Sequence, residues 1–470
     1  MDYLADSFIQ NRTFDEIEVG DSARLSRTLR TEDIHLFAAI SGDINPTHLD
    51  PEFAHAGQFR DVVGHSLWGA TLISAILGNE FPGPGTVYVS QSQNFWRPVT
   101  VGDVLTVTVT CREKFEHNHH IVFDCTAVNQ TGVKVMDGVA EVTAPTQRIR
   151  RPKVLPPKVT VADREERFRR LLSITEGLAP IRVAVVSPCD GDSLRGPLQA
   201  ALVGLVEPIL VGPRRRIREL AEEQDLELQG VRIIDADDDR AAAAIAVALC
   251  RDEGVAALMK GSLHTRELMR AVLAKADGLQ TGRRVSHVSL ASVPGYPRLL
   301  MVTDAAINIA PTLDEKVGIV DNAIDLAHML GIDTPKVALL AATDRVSPLM
   351  PATKDAAALV EMAKAGRFAG AVLDGPLAFD KAVSPRAAAI KGIASPVAGA
   401  ADVLVAHDIE VANAIIRQLE HFVGAMMGGI VLGARVPIVL TNRADTAQTR
   451  MVSCAIAQLI HHHNSSREAK

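Results

Sequence analysis

An α+β unit followed by an α/β unit is the fold class this sequence predicts, and three observations predict it. The spacing of apolar residues changes from helical to alternating after Pro82-Gly83-Pro84-Gly85 and stays alternating to Thr143. From Ile181 onward, short continuous apolar runs alternate with helical stretches. Between them, Pro145, Pro152, Pro156 and Pro157 stand among Arg148, Arg150, Arg151, Lys153 and Lys158. Prolines that dense continue neither sheet nor helix, so Pro145 to Thr160 reads as a semi-rigid linker. With 470 residues the chain needs more than one core. The division expected is residues 10–146, a linker over 147–163, and residues 164–465.

Hydrophobic content of 47% and charged content of 22% are those of soluble globular protein. A net charge of −7 argues against nucleic acid as a partner. Cys111, Cys125, Cys189, Cys250 and Cys454 are odd in number and form no metal-binding spacing. They read as reduced thiols in a cytoplasmic protein. Met1 to Asp6 lacks the basic start and apolar core of a secretory signal. The longest apolar run, Phe422 to Ala434, is shorter than the ~20 residues that span a bilayer, so no membrane partner is expected. His461-His462-His463 reads as a solvated tail.

In the first unit, Arg12 to Leu25 is an extended lead-in with a turn at Val19-Gly20-Asp21. Thr31 is the expected N-cap of a helix carrying Ile34, Phe37, Ala38 and Ile40, which stops at Ser41-Gly42. A loop follows from Asp43 to His48, and Asp50-Pro51 opens a short helix through Ala56. Leu67 to Leu77 is apolar nearly all round, as a helix surrounded by protein must be. Strands are expected over Val87–Ser92, Val104–Cys111, Ile121–Asn129 and Val133–Thr143, with turns at Gly102-Asp103 and Gln130-Thr131-Gly132. One buried helix against a curved antiparallel sheet is the arrangement called a hot dog.

The stretch Ser41-Gly42-Asp43-Ile44-Asn45-Pro46-Thr47-His48 carries the chemistry of this unit. Taken singly, Asp43 reads as a turn former and His48 as a packed loop residue. Together they set a carboxylate and an imidazole five residues apart, and a helix starts just after Gly64-His65-Ser66. An acid, a base and a helix N-terminus read as a site for moving a proton beside a carbonyl. His117, His119 and His120 read as a solvated turn, and no metal site is expected.

Residues 12 to 145 resemble the MaoC-like, (R)-specific enoyl-CoA hydratases. The matching residues are Phe37-Ala38, the run Ser41 to Asp50, His65 and Ser74, then Phe95-Trp96-Arg97-Pro98-Val99 and Val101-Gly102-Asp103. The resemblance implies hydration of a trans-2-enoyl-CoA to an (R)-3-hydroxyacyl-CoA. It makes Asp43 and His48 the hydration pair, Ser74 a supporting serine, and His65 and Ser66 substrate contacts. Where the family has His-Gly-Met, this chain has His65-Ser66-Leu67. The glycine N–H holds the thioester oxygen in the family, and a serine keeps that N–H.

In the second unit a helix is expected over Arg164–Leu172, then βα alternation. Strands fall at Arg182–Val186, Glu207–Val211, Ala256–Met259, Leu299–Thr303, Lys336–Leu340, Ala371–Pro376, Val403–Ala406 and Ile438–Thr441. Helices fall at Leu198–Leu205, Ala241–Arg251 and Thr265–Leu273. Continuous apolar strands between helices imply a parallel sheet covered on both faces. No GxGxxG follows a strand and there is no P-loop, so dinucleotide and ATP sites of those kinds are not supported.

From about residue 165 to 465 the chain resembles the phosphate acetyltransferase and butyryltransferase family. The matches are Leu258-Met259-Lys260-Gly261, His264-Thr265, Arg270 to Leu273, Asp304 to Asn308, Met350 to Thr353, Asp374 to Asp380, Ser395 to Gly399, Ala401 to Val405, Gly428 to Gly433 and Val436 to Asp445. The resemblance implies an isocitrate-dehydrogenase-like fold of two α/β lobes that exchanges acyl groups between CoA and phosphate. Arg443 becomes the phosphate-side arginine, with Asn442 where the family has serine. Lys260, Gly261, Ser262, Thr265, Arg270 and Asp445 become substrate contacts, Ser262 and Thr265 at a helix N-terminus suited to an anion. Thr449 stands where the acetyl-type enzymes place the carboxylate that takes the thiol proton. The chain therefore reads as a bifunctional acyl-CoA enzyme with no permanently bound cofactor. Its partners would be acyl-CoA or enoyl-CoA, CoA, and phosphate or acyl phosphate, in a homodimer or larger homo-oligomer. The alternative is one catalytic domain carrying an acyl-CoA-binding or oligomerisation module.

Overall fold

A computed structural model describes residues 8–154, 159, 172–173, 175–441 and 445–468. Asn442, Arg443, Pro156, Pro157, Lys158 and most of the helix expected over 164–172 lie outside the described residues. The chain divides into two compact units, Met1–Ala162 and Asp163–Lys470.

The first unit is a hot dog. Strands β2 (Ser22–Thr28), β3 (Val87–Phe95), β4 (Val104–Phe115), β5 (His120–Val128) and β6 (Lys134–Thr143) form an antiparallel sheet in the order β2-β4-β5-β6-β3. Alternation along β4 turns Leu105, Val107, Val109 and Cys111 inward, as a period of two requires. They pack on Trp68, Leu72, Ile73, Ile76 and Leu77 of helix α4 (Ser66–Asn79). Each buried side chain of this size contributes roughly 1.5–3 kcal/mol.

Three expectations change. Arg30, not Thr31, caps helix α1 (Thr31–Ser41), because the Asp33 carboxylate accepts the Arg30 N–H at 3.1 Å. The loop expected through His48 contains one helical turn, α2 (Pro46–Leu49), capped by the Asn45 side chain on the Thr47 N–H at 3.0 Å. The stretch read as linker contains a strand: β7 (Arg150–Pro152) pairs antiparallel with β1 (Phe8–Gln10). Pro152 sits at the strand end, where no ladder donor is needed. Helix α3 (Pro51–Ala56) starts at Asp50 as expected.

The second unit holds one sheet of eleven strands in the order β10-β9-β8-β11-β18-β17-β12-β13-β16-β14-β15. Strands β8 (Ile181–Val186), β9 (Val206–Gly212), β10 (Arg232–Asp235), β11 (Ala257–Lys260) and β18 (Ile438–Val439) form one parallel block. Strands β13 (Leu299–Thr303), β14 (Lys336–Leu340), β15 (Val372–Leu377) and β16 (Val403–Val405) form another. The wholly parallel sheet is corrected at the centre, where β12 (Ser286–Ser292) and β17 (Met426–Leu432) pair antiparallel with each other and with both blocks. Those two strands escape a sequence reading. One is studded with Ser and His, and the other hides in the Gly-rich run after Phe422.

Helices α5 (Gly191–Leu202), α6 (Arg214–Glu223), α7 (Asp239–Asp252), α8 (Thr265–Val272), α9 (Leu313–Met329), α10 (Pro351–Lys364), α11 (Phe379–Val383), α12 (Pro385–Ile390), α13 (Ile409–His421) and α14 (Ala447–Glu468) complete the unit. Asp190 caps α5, so that helix begins seven residues before the expected Leu198 and ends before Leu205. The three histidines read as a tail belong to α14, and His462 Nε2 donates to the Ala179 carbonyl at 2.8 Å.

Candidate functional site

In the first unit Gly42 ends α1 in the left-handed region at φ +76°, which turns the chain into Asp43. His48 Nδ1 lies 2.8 Å from the Val63 carbonyl. A carbonyl only accepts, so Nδ1 carries the proton and the lone pair is on Nε2, 4.0 Å from Asp43 Oδ2. His65 is buried and donates from Nε2 to the Asp43 carbonyl at 3.0 Å. Its ring stacks between His48, at 3.9 Å between centroids, and Phe37, at 4.8 Å. Buried His65 thus fixes the Asp43 backbone and one face of the His48 ring together. These three residues bring potential ligand atoms within 4.8 Å of one another. An imidazole lone pair lies in its ring plane, however, and rings stacked with a tilt of 32° aim theirs side by side rather than at one ion.

His48 and Ser66 line a cavity of about 410 Å³ walled by Phe59, Trp96, Leu105 and Met136. Ser66 is the first residue of α4, so its N–H has no intrahelical acceptor. Ser74 does not line this cavity; it lies on the exposed face of α4, opposite Leu72 and Ile76.

In the second unit, Lys260 ends β11 and is 3% exposed. Its Nζ donates to the carbonyls of Gly261 at 3.2 Å and Thr441 at 3.4 Å. Arg450 of α14 is fully buried and donates to Thr441 Oγ1 at 2.5 Å and the Lys260 carbonyl at 3.3 Å. Burial lowers its pKa, and Asp190 and Asp445 oppose that shift. Two cations therefore meet at the C-terminal ends of β11 and β18, just before residues 442–444. Asp445 is buried, with Arg417 of α13 at 3.6 Å.

The anion site expected around Ser262 and Thr265 meets an opposing charge pattern. Ser262 donates to the Ser187 carbonyl at 2.8 Å and lines a cavity of about 600 Å³ with Asp190, Asp192, Asp239 and Arg195. Three carboxylates against one guanidinium repel a phosphate. Thr265 opens α8, but Glu267 occupies its first turn and offsets the helix dipole. Arg270 is exposed on the same helix and forms no hydrogen bond or ion pair among the described residues. Arg450 escaped a sequence reading. Its one signal is a lone arginine beside the apolar run Met451-Val452 of α14.

A hot-dog domain ahead of a mixed α/β sheet with a basic strand-end cluster defines a two-domain protein of recognisable type. Residues 239–458 match the family model described as phosphate acetyl/butaryl transferase, and residues 15–132 match that of the MaoC like domain. The chain is 48% identical over 307 residues to the phosphate acetyltransferase of Rickettsia prowazekii (strain Madrid E), spanning 64% of this chain and 88% of that protein. It is 39% identical over 293 residues to the phosphate butyryltransferase of Clostridium beijerinckii, spanning 62% and 97%. The crystal structure of a branched-chain phosphotransacylase from Enterococcus faecalis V583 matches 60% of this chain and 99% of its own, with 30% identity and a TM-score of 0.53. The chain belongs to the phosphate acetyl/butyryltransferase family, with a MaoC-like domain at its N-terminal side. No helix among the described residues is long and apolar enough to cross a membrane.

Proposed function

We propose a bifunctional acyl-CoA enzyme. The second unit exchanges an acyl group between CoA and inorganic phosphate, and the first hydrates a trans-2-enoyl-CoA to an (R)-3-hydroxyacyl-CoA. The transferase reading is supported by family membership and by the Lys260–Thr441–Arg450 cluster, whose Thr441 directly precedes Asn442 and Arg443 in the sequence. Arg443 would hold the phosphate in its planar fork, and Asn442 would donate to the transferring carbonyl or a phosphate oxygen. Lys260, Gly261, Ser262, Thr265, Arg270 and Asp445 would contribute around it, with the charge pattern favouring the Lys260 side.

The observation that carries the hydratase reading is His48, on the wall of a largely apolar cavity, with its Nε2 4.0 Å from Asp43, which stands behind that wall. Asp43 and His48 would hold the attacking water between them and return a proton to the α-carbon, while the Ser66 N–H receives the thioester oxygen. The uncharged edge strand β3 supports self-association, and five unpaired cysteines support a reducing, cytoplasmic setting. Phosphate-dependent release of CoA from acetyl- and butyryl-CoA tests the transferase. Arg443→Ala is expected to abolish it, and equal rates in wild type and variant would refute the assignment. Loss of enoyl absorbance with crotonyl-CoA tests the hydratase, with Asp43→Asn as the inactive control.

A further inference from the structure

The geometry points to His287 as the general base that takes the proton from the CoA thiol. This rests on the transferase reading of the same unit. His287 stands on the central antiparallel strand β12 and is 4% exposed. Gly429 of β17 makes room for it: a Cβ there would lie 3.0 Å from His287 Nε2 and 2.5 Å from the Leu440 carbonyl. The imidazole is hydrogen-bonded to that Leu440 carbonyl. Nε2 therefore carries the proton, and Nδ1 keeps a lone pair that is buried without a hydrogen-bond partner among the described residues. A desolvated, unpaired imidazole nitrogen is an unusual thing to keep in a core unless it has a task.

Leu440 leads directly into Thr441, which Lys260 and Arg450 hold, and then into Asn442 and Arg443. The charged groups that bear on the ring are Asp304, which follows β13, Asp445, and Arg417 of α13. Asp304 itself is committed to three backbone N–H groups and the Asn308 amide. Thr449 is no base at neutral pH, and its hydroxyl pairs with that of Thr446 at 3.3 Å. Burial lowers the His287 pKa, with Asp304 opposing, so the ring is neutral and able to accept at pH 7.

In the step proposed, Nδ1 takes the proton as the thiol S–H bond breaks. The sulfur attacks the acyl-phosphate carbonyl carbon, and the C–O bond to phosphate breaks with its electron pair leaving on inorganic phosphate. In reverse, the imidazolium returns the proton to the departing thiolate.

The test uses full-length His287→Gln and His287→Ala, assayed in the direction of thiol consumption, with CoA and butyryl phosphate, from pH 5 to 9. A fall in kcat of about 10²-fold or more is expected, with KM for CoA within threefold. The acidic limb of the wild-type profile should vanish, and added imidazole should partly restore the alanine variant. Retention of wild-type kcat within threefold, with an unchanged acidic limb, would overturn the assignment. If neither variant folds by circular dichroism, a wild-type kcat that shows no fall toward acid pH, down to the limit of the enzyme's stability, overturns it. A wild type without phosphate-dependent thiol release removes the transferase reading itself; an active wild type with unaffected variants removes only the base.

Discussion

Asp43 and His48 were legible in the sequence because the turn that brings them close is local: a left-handed glycine, an asparagine cap and one helical turn; the Val63 carbonyl and the His65 ring that hold them come from outside that stretch. Asp43→Asn and His48→Gln should each lower hydration of crotonyl-CoA by about 10²–10⁴-fold, read from enoyl absorbance, without lowering the melting temperature of the first unit. Residues whose partners arrive from distant strands were not legible. Lys316 is 3% exposed and lies between Asp355 Oδ2 at 2.6 Å and His407 Nδ1 at 2.9 Å, and nothing in three scattered positions announces that meeting. Burial, with Lys316 beside it, pushes the His407 pKa below 6.5, while Asp355 and Asp408 oppose this. The folded state then binds this proton less readily than the unfolded chain, so stability falls as pH drops below about 6.5. Burial pushes His287 in the same direction. His407→Leu should lose less melting temperature than wild type between pH 7.5 and 5, measured by calorimetry; equal slopes would show that His407 does not carry the effect.

At the scale of elements, strands with clean alternation were readable and strands built from Ser, Gly and His were not. The same physics governs how helices α5 and α14 meet. Gly196 allows α5 to close on the buried Arg450, whose Cβ would stand 2.7 Å from a Cβ added at Gly196. Gly196→Ala should cost about 1–3 kcal/mol in urea unfolding through overpacking. Strand β3 is an unprotected edge: its sequence VYVSQSQNF has no charge and no proline, and Val87, Tyr88 and Val89 are exposed. Such an edge invites pairing with another chain. If the protein self-associates through this edge, Val89→Lys should lower its light-scattering mass, whereas an unchanged mass would mean that the edge carries no contact between copies.

At the scale of the whole molecule, each unit owns its core: Phe14, Trp68 and Phe123 belong to one, and the strands and helices from Ile181 onward build the others. Expressed as separate chains divided near Ala162, the first unit should hydrate crotonyl-CoA and the second should release CoA with phosphate, each within a fewfold of the intact protein. Loss of either activity on separation would mean that the units complete each other. The sequence by itself determined the order of the two units, the antiparallel and βα character of each, and the Asp43–His48 pair, because periodicity, capping and turn chemistry act over a few residues. Only the tertiary structure decided the antiparallel seam of β12 and β17, the acidic surroundings of Ser262, and the burial of Arg450 and His287. Those depend on which distant segments become neighbours, and burial and charge are properties of neighbours rather than of any residue alone.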